Sequence, residues 1–265
     1  GQQFVDVCRS VFTASVFSYD NGSSKAMQDV NKWCSDNTGG MIPAFLSEPP
    51  SGNFLLLNAA YFNGKWKNPF DAALTAKEEF TCESGKKATV DMMHLSGVKV
   101  NWCKTPKYTS FWLEYGNGGY SMFLVLPNEG LNVNDVMEQK IITYEYDAAS
   151  EYHTGDLCLS LPKFSLSEDN ANLANVLCAA GLTKTFSESG HFSSIFNGCT
   201  PSAMRQKTVL QVNESGTVAT AVTETGDATS PGNDPLKIAF DRPFGLIIME
   251  NSTSTILYMG KVAEL

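Results

Sequence analysis

One stretch of this sequence combines the residues of a buried strand with those of an exposed loop. From Gly216 to Thr223 the chain carries no charge, no proline and nothing bulkier than valine. Thr and Val favour strands and Ala fits most environments, so this part can pair with a sheet. Residues 224–234 are rich in Gly, Pro, Asp and Asn, which favour exposed turns. Such a segment can change from an exposed loop to a strand in a gap of a β-sheet.

Motifs for other chemistry are absent from the sequence. There is no Gly-x-Ser-x-Gly, no His-Glu-x-x-His and no phosphate-binding glycine-rich loop. His94, His153 and His191 each stand apart from other ligand-type residues, which favours surface or hydrogen-bonded core positions for them. Because a triad is assembled in space, an enzyme stays a weaker alternative. We expect no catalytic residues, no metal site and no cofactor.

The seven cysteines also indicate a structural role. Their number is odd and no Cys-x-x-Cys occurs, which disfavours a zinc site or a complete disulfide framework. We therefore expect most of them to be small buried hydrophobic residues.

Composition and charge restrict the classes of partner. Hydrophobic residues make up 43% of the 265 residues, enough for a substantial core. The net charge is −9, and binding to phosphate backbones needs clustered Lys and Arg. We therefore predict no nucleic-acid partner. Since no apolar run approaches the length of a bilayer crossing, we also predict no membrane span.

Apolar periodicity predicts strands over most of the chain after residue 54, with helices between them. Residues 54–62 form a nearly continuous apolar run around Asn58, which predicts a central strand buried on both faces. The glycine-rich segment 116–119 predicts a hairpin turn. The predicted helices are 22–33, 134–140 and 172–181; the other predicted strands include 108–115, 120–126, 203–212, 236–240, 244–249 and 255–262. This order indicates an α+β fold built on antiparallel sheets.

Several segments, in order along the chain, resemble the serpin family. The run Glu214, Gly216, Thr217, Ala219 and Ala221 resembles the hinge of a serpin reactive-centre loop. The remaining matches are 58–66 with 69–71, which resemble the central strand and the turn after it; 161–164, which resemble a strand of the same sheet; and 241–244 with 256–262, which resemble the C-terminal hairpin. Together they extend from about residue 11 to residue 262.

The resemblance implies a serpin-like α+β fold. This fold has antiparallel and mixed β-sheets, surrounding helices and an exposed reactive-centre loop, here at about 214–235. The similarity covers 1–265 as a single domain. Serpins have several helices and a strand before the region that matches residues 11–17, so we expect a domain that is N-terminally incomplete.

The function implied by the resemblance is protease inhibition as a suicide substrate. In serpins, cleavage of the loop releases it to insert as a new strand in the main sheet while the protease is still acylated. The hinge residues would be Glu214, Ser215, Gly216, Thr217, Val218, Ala219, Thr220, Ala221 and Val222.

The alternation of side chains in this segment suits insertion. In a strand, alternate residues share a face, so Thr217, Ala219, Ala221 and Thr223 can face a packed interior while Val218, Thr220 and Val222 face outward. Gly216 would give the bend its freedom. A plain edge strand followed by a loop is the alternative reading of the same residues.

Four residues match the region where the main sheet of a serpin opens. Trp66 resembles the tryptophan at the top of the sheet, and Lys163 with Glu214 resembles a pair that bridges strands there. Asn58 resembles a member of a hydrogen-bond cluster whose usual histidine is replaced by Gln206. Since Gln can donate and accept, the cluster would lack a pH-sensitive member.

The scissile bond is less well defined by the resemblance. Counting from Glu214 by the family's spacing places it between Ser230 and Pro231, whereas counting back from Pro243 places it near Gly232. Proline after the cut blocks most serine proteases, so Thr229–Ser230 and Asn233–Asp234 are alternatives. None of these residues is basic, which favours an elastase-like or subtilisin-like protease over a trypsin-like one. Asp227 fits poorly in an inserted strand.

The resemblance also implies a partner and a location. The partner would be a target serine protease, or a cysteine protease, bound by a monomer that is extracellular or in the cell envelope. Two alternatives stay open: a binding or storage protein of the same fold that never inserts its loop, and an inactive truncated fragment.

Overall fold

Contacts divide the chain into two units, Gly1–Tyr61 with Leu166–Leu210 and Phe62–Ser165 with Gln211–Leu265. The computed structural model describes residues 1–137, 151–187, 195, 199, 203–217 and 235–265. Its helices are α1 (Gln2–Phe12), α2 (Ser24–Asn37), α3 (Val133–Val136), α4 (Leu173–Ala179) and α5 (Thr183–Ser187), with a 3-10 turn at Ala72–Leu74. Its strands are β1 (Leu55–Tyr61), β2 (Gly64–Lys65), β3 (Ala76–Thr81), β4 (Lys87–Lys104), β5 (Tyr108–Tyr115), β6 (Tyr120–Pro127), β7 (Glu151–Pro162), β8 (Phe164–Asn170), β9 (Ala203–Val212), β10 (Gly216–Thr217), β11 (Leu236–Ala239), β12 (Phe244–Glu250) and β13 (Thr255–Val262).

The first unit packs α2 against a three-stranded sheet of order β1-β9-β8. Helix α2 begins where the Ser23 hydroxyl accepts a hydrogen bond from the Ala26 N–H at 3.2 Å, which satisfies one free donor of the first turn. Its apolar side contributes the buried Cys34 to a cluster with Phe45 and Val209. The predicted helix at 22–33 is thus confirmed, although it extends to Asn37.

The prediction of a central strand buried on both faces at 54–62 is wrong in two respects. Strand β1 lies at the edge of the described sheet and pairs in parallel with β9. Its burial alternates, with Leu56 43% exposed and Asn58 also exposed. The apolar run arises because alternate residues such as Leu57 and Ala59 pack on the cluster under α2, and the pattern of residue types does not show which neighbours cover the second face.

The second unit is built around an eight-stranded sheet. Its strand order is β11-β7-β4-β5-β6-β12-β13, with β3 paired to β4. Strands β6 and β12 are buried over most of their length and pair with each other. They are the strands in which burial on both faces actually occurs. The hairpin predicted at 116–119 is confirmed, since Tyr115 pairs with Tyr120 across it.

The sheets are mixed, which confirms the α+β class. Strands β1 and β9 are parallel, as are β11 and β7, whereas the pairs along β4, β5, β6 and β12 are antiparallel. The predicted strands at 203–212 and 255–262 match β9 and β13 end to end. Among the helices that the structure describes, none combines the length and apolar character needed to cross a bilayer.

Candidate functional site

The parallel pair of β1 and β9, which we call the seam, places Asn58 opposite Gln206. The two residues are partners in the strand register, and the Gln206 Nε2 donates to the Asn58 Oδ1 at 3.0 Å. Both amides are neutral and do not titrate in the physiological range. The resemblance assigned these two residues to one hydrogen-bond cluster, and the structure places them in contact within the first unit.

The residues that follow β9 form a tight turn, the hinge turn, at 213–217. The N–H of Asn213 donates to the carbonyl of Gly216 at 2.9 Å, and the Gly216 N–H donates back to the Asn213 carbonyl at 3.1 Å. The Asn213 side-chain oxygen also accepts from the Ser215 N–H at 3.0 Å. Gly216 and Thr217 then run back as β10 and pair antiparallel with Lys65 and Gly64.

The hinge turn lies against the segment 64–75 through backbone hydrogen bonds. The Trp66 N–H donates to the Ser215 carbonyl and the Phe70 N–H donates to the Glu214 carbonyl, both at 2.9 Å. The Trp66 indole Nε1 donates to the Asn213 carbonyl at 3.0 Å. Three successive carbonyls of the turn are therefore satisfied by two residues, of which Trp66 supplies two donors.

Trp66 is held in place by its aromatic neighbours. Its ring stacks on Tyr115 with centroids 4.3 Å apart and meets Phe70 edge-on at 6.2 Å. Only 5% of the tryptophan is exposed. Such contacts fix the indole plane, and the indole N–H finds the partner that burial requires.

Glu214 is the charged group of the hinge turn. Its two carboxylate oxygens accept from the Thr75 hydroxyl at 2.8 Å and pair with the Lys163 ammonium at 3.1 Å. Burial alone would raise the pKa of Glu214, but hydrogen bonds from its own backbone, Thr75 and Lys163 outweigh it, and its pKa is lowered. Sequence reasoning identified Lys163 but missed Thr75, since nothing in the local sequence of Thr75 indicates this contact.

Gly216 is required by close backbone approach as well as by its conformation. Its φ is +133°, a value that L side chains rarely adopt. A β-carbon on Gly216 would lie 2.7 Å from both the Lys65 Cα and the Trp66 N, and would also meet the Gly64 carbonyl oxygen. The expected role of Gly216 was freedom in the bend, whereas here it allows the hinge turn to pack on β2.

The remaining predicted residues of the loop have no structural placement. Glu214, Ser215, Gly216 and Thr217 are described, whereas Val218, Ala219, Thr220, Ala221 and Val222 lie outside the described residues. The same holds for the scissile region Thr229, Ser230, Pro231 and Gly232. Trp66 and Lys163 meet the hinge turn in the second unit, and Asn58 and Gln206 meet each other in the first.

The structure assembles one constellation that the sequence did not show. The His94 Nδ1 lies 3.1 Å from the Ser160 hydroxyl and its Nε2 lies 2.9 Å from Glu78. These three side chains come from β4, β7 and β3. His94 is partly exposed there, with a third of its side chain accessible.

Histidine and cysteine side chains elsewhere in the chain are the other candidates for ligands or nucleophiles. His153 stacks on Trp102 at 4.1 Å, and His191 lies outside the described residues. None of the seven cysteines, all of which the structure describes, forms a disulfide, and four of them are buried, as the sequence predicts. Within the part of the chain that the structure describes, no three His, Cys, Asp or Glu residues are grouped to hold a metal ion.

The sequence matches the family model described as Serpin (serine protease inhibitor) over residues 1–265. Serpin B11 of Homo sapiens is 28% identical over 279 residues, which cover 99% of this chain and 70% of that protein. Iripin-8 of Ixodes ricinus is 30% identical, with 99% and 68% covered. Plasminogen activator inhibitor 2 of Homo sapiens is 27% identical, with 99% and 66% covered. This chain thus spans between 66% and 70% of the length of these relatives.

Solved structures share the fold. Human thyroxine-binding globulin in complex with thyroxine superposes with a TM-score of 0.84 at 28% identity, covering 99% of this chain and 70% of that one. The thermophilic serpin Tengpin in its native state gives a TM-score of 0.82 at 25% identity, with 100% and 69% covered.

Proposed function

This chain belongs to the serpin family, and we propose that it inhibits a protease as a suicide substrate, through a reactive-centre loop at about 214–235 that inserts between β1 and β9 after cleavage. The family includes proteins named as inhibitors, such as plasminogen activator inhibitor 2, and a protein named for binding thyroxine. What we propose for this chain, beyond its family, is that it has a target protease and that its cleaved loop inserts into the sheet.

The observation that carries the proposal is the direction of the strands at the seam. Strands β1 and β9 run parallel, and the hinge turn reverses the chain directly after β9. A segment that continues back from the hinge turn would run antiparallel to both neighbours. In antiparallel pairs the hydrogen bonds run perpendicular to the strands. A segment placed between β1 and β9 could therefore form such bonds with both of them.

The length of the loop agrees with this geometry. At about 3.3 Å per residue, the 14 residues from 217 to 230 span roughly 46 Å, whereas the ten residues of β9 span roughly 33 Å. The cleaved arm therefore reaches along the whole of β9. Its inward positions Thr217, Ala219 and Ala221 are small enough to pack against a helix or a cluster on one face of the sheet.

Insertion would lower the free energy substantially. About ten new backbone hydrogen bonds, each worth roughly 0.5–1.5 kcal/mol net, sum to on the order of 10 kcal/mol. At roughly 2–4 °C of melting temperature per kcal/mol for a chain of this size, cleavage should raise the melting temperature by about 20–40 °C.

The scissile bond is proposed within Thr229, Ser230, Pro231 and Gly232, and the target is an elastase-like or subtilisin-like serine protease. A cysteine protease is the second class of target. We also propose that the protein acts as a monomer, outside the cell or in the cell envelope, with no nucleic-acid partner and no enzymatic activity of its own.

The test is a covalent complex that resists denaturant. The protein is incubated with elastase-like, subtilisin-like and cysteine proteases, and a band of summed mass is sought on a denaturing gel. An Ala219→Arg variant places a charge on the inward face and should turn the inhibitor into a plain substrate, whereas Val218→Arg on the outward face should still inhibit. Absence of a complex with every protease, together with an unchanged melting temperature after cleavage, would instead support a binding or storage protein or an inactive form.

A further inference from the structure

Three segments of the sequence match the acceptor pattern for N-linked oligosaccharides, Asn-x-Ser or Asn-x-Thr without proline in the middle. They begin at Asn21, Asn213 and Asn251. The pattern by itself does not say which asparagine keeps a sugar in the mature protein. The folded chain distinguishes the three, because a bulky glycan is compatible with the native state only where the amide nitrogen faces solvent and has no other partner.

Asn251 uses both hydrogens of its side-chain amide. Its Nδ2 donates to the Gly118 carbonyl at 2.8 Å and to the Ser121 hydroxyl at 2.7 Å. An asparagine amide has two N–H donors, and a glycosidic bond replaces one of them. A glycan on Asn251 would therefore break a contact between the β12–β13 turn and the β5–β6 hairpin, at a partly buried site.

Asn213 is held inside the hinge turn. Its side-chain oxygen accepts from the Ser215 N–H at 3.0 Å. Its backbone carbonyl accepts from the Gly216 N–H at 3.1 Å and from the Trp66 indole at 3.0 Å. The side chain is thereby folded back onto its own turn, and only part of Asn213 is exposed.

Asn21 lies at the exposed corner of a tight turn that precedes α2. The Ser23 N–H donates to the Asp20 carbonyl at 3.1 Å, which closes a four-residue turn over 20–23. Gly22 occupies the third position with a φ of +72°, which glycine adopts without strain. Asn21 is exposed, and among the described residues its side-chain amide has no hydrogen-bond partner.

The turn keeps its place without help from the Asn21 side chain. The Gly22 N–H donates to the Pro50 carbonyl at 3.0 Å. The Tyr19 hydroxyl donates to the Gly52 carbonyl at 2.8 Å. These bonds tie both arms of the turn to the segment before β1, so a bulky group on the Asn21 amide would displace none of the described contacts.

We propose that Asn21 is a modification site and carries an N-linked oligosaccharide in the mature protein, whereas Asn213 and Asn251 stay unmodified. This inference rests on the location outside the cell that accompanies the proposed function, because this modification belongs to secreted proteins. Transfer of the sugar precedes folding. The native contacts therefore select which modified chains can still fold, and a chain modified at residue 21 loses none of them.

The sugar donor is a lipid-linked oligosaccharide diphosphate, and the reaction is a glycosyl transfer without oxidation or reduction. The Asn21 Nδ2 bonds to the anomeric carbon of the first N-acetylglucosamine, and the bond from that carbon to the diphosphate oxygen breaks. The amide nitrogen gives one proton to a base of the transferase. The lipid diphosphate leaves with the electron pair of the broken bond, so this chain supplies only the acceptor.

Ser23 has a role at each of two stages. Its hydroxyl completes the acceptor pattern while the chain is extended. In the folded chain the same hydroxyl accepts from the Ala26 N–H at 3.2 Å and caps α2. Threonine both fits the acceptor pattern and caps helices, so Ser23→Thr should keep the glycan. Ser23→Ala should lose it.

The test is secretion of the whole chain from a eukaryotic cell, followed by removal of N-linked sugars with peptide N-glycosidase in water labelled with heavy oxygen. The enzyme converts a glycosylated asparagine to a labelled aspartate, which peptide mass spectrometry locates. We expect the label at residue 21 and a single step of increased gel mobility. Asn21→Gln should lose both. The matched control Asn213→Gln, which removes another acceptor pattern, should keep both.

Two comparisons separate a missing sugar from a failed fold and from a failed function. Asn21→Gln should melt at the same temperature as the deglycosylated wild type, which shows that the variant folds. Protease trapping is measured on chain made without sugars. Label at residue 21 without trapping supports the site, and the proposed function then fails alone. Trapping without label at residue 21 in the secreted chain overturns the site and leaves the proposed function intact.

The remaining outcomes also decide the matter. A sugar that persists in Asn21→Gln at the wild-type mobility step overturns the proposal. Label at residue 251 in the monomeric, cooperatively melting fraction overturns the argument from the amide hydrogen bonds. Translation in the presence of microsomes reads the transfer step even where the chain is not secreted, and absence of sugar on residue 21 there overturns the proposal too.

Discussion

Replacing Gly216 by alanine tests whether the hinge turn is held by close approach to β2. A new β-carbon would lie 2.7 Å from the Lys65 Cα and the Trp66 N, both backbone atoms that cannot rotate away. The hinge turn must then move, which breaks the bond from Trp66 N–H to the Ser215 carbonyl and the short pairing of β10 with β2.

The cost can be divided into two parts. A left-handed backbone costs an alanine about 1–2 kcal/mol. Two displaced backbone hydrogen bonds add about 1–3 kcal/mol, so Gly216→Ala should lower the free energy of unfolding by roughly 2–5 kcal/mol. Gly85→Ala is the control, because Gly85 has a φ of +81° and nothing within 4 Å of its added β-carbon. The Gly85→Ala variant should therefore lose only the free energy of unfolding that the backbone conformation costs.

Calorimetry of the two variants provides the assay. A difference of about 2 kcal/mol corresponds to roughly 4–8 °C in melting temperature for a chain of this size. Gly216→Ala should therefore melt well below Gly85→Ala, and limited proteolysis should cut it faster at the hinge turn. Equal melting temperatures for the two variants would refute the close-approach explanation and leave only backbone conformation.

Three further substitutions test individual contacts. Because the pKa of Glu214 is lowered from 4.5, its stabilising effect is complete above pH 4.5 and is lost as the pH falls through the lower folded value. Lys163→Met should therefore make the free energy of unfolding fall less steeply with pH below pH 4.5. Gln206→His should introduce a pH dependence near the histidine pKa of about 6.5, because neither amide of the wild-type pair titrates there. Ser110→Ala should be neutral or stabilise by up to about 1 kcal/mol, because its buried hydroxyl has no hydrogen-bond partner among the described residues. The control Ser121→Ala should destabilise by about 1 kcal/mol, because the Ser121 hydroxyl accepts from an asparagine at 2.7 Å; urea unfolding of both serine variants measures the contrast.

Local sequence patterns predicted most of the secondary structure. The strands at 203–212 and 255–262 and the hairpin at 116–119 follow from residue alternation and glycine placement, which are properties of a few adjacent residues. The helix Gln2–Phe12 was not predicted, although Phe4, Val7, Cys8 and Val11 recur at helical spacing. None of its residues is buried in the described part of the chain.

The sequence by itself determined the family, the order of the strands along the chain and the composition of the loop, because these are carried by residue types and their spacing. Only the tertiary structure decided which distant residues meet. It placed Thr75 on the carboxylate of Glu214, aligned Asn58 with Gln206 across a parallel seam and brought two cations within 6 Å of the centre of the Phe45 ring. Such contacts depend on register and on the path of the backbone between residues more than a hundred positions apart, and no local pattern of residues encodes them.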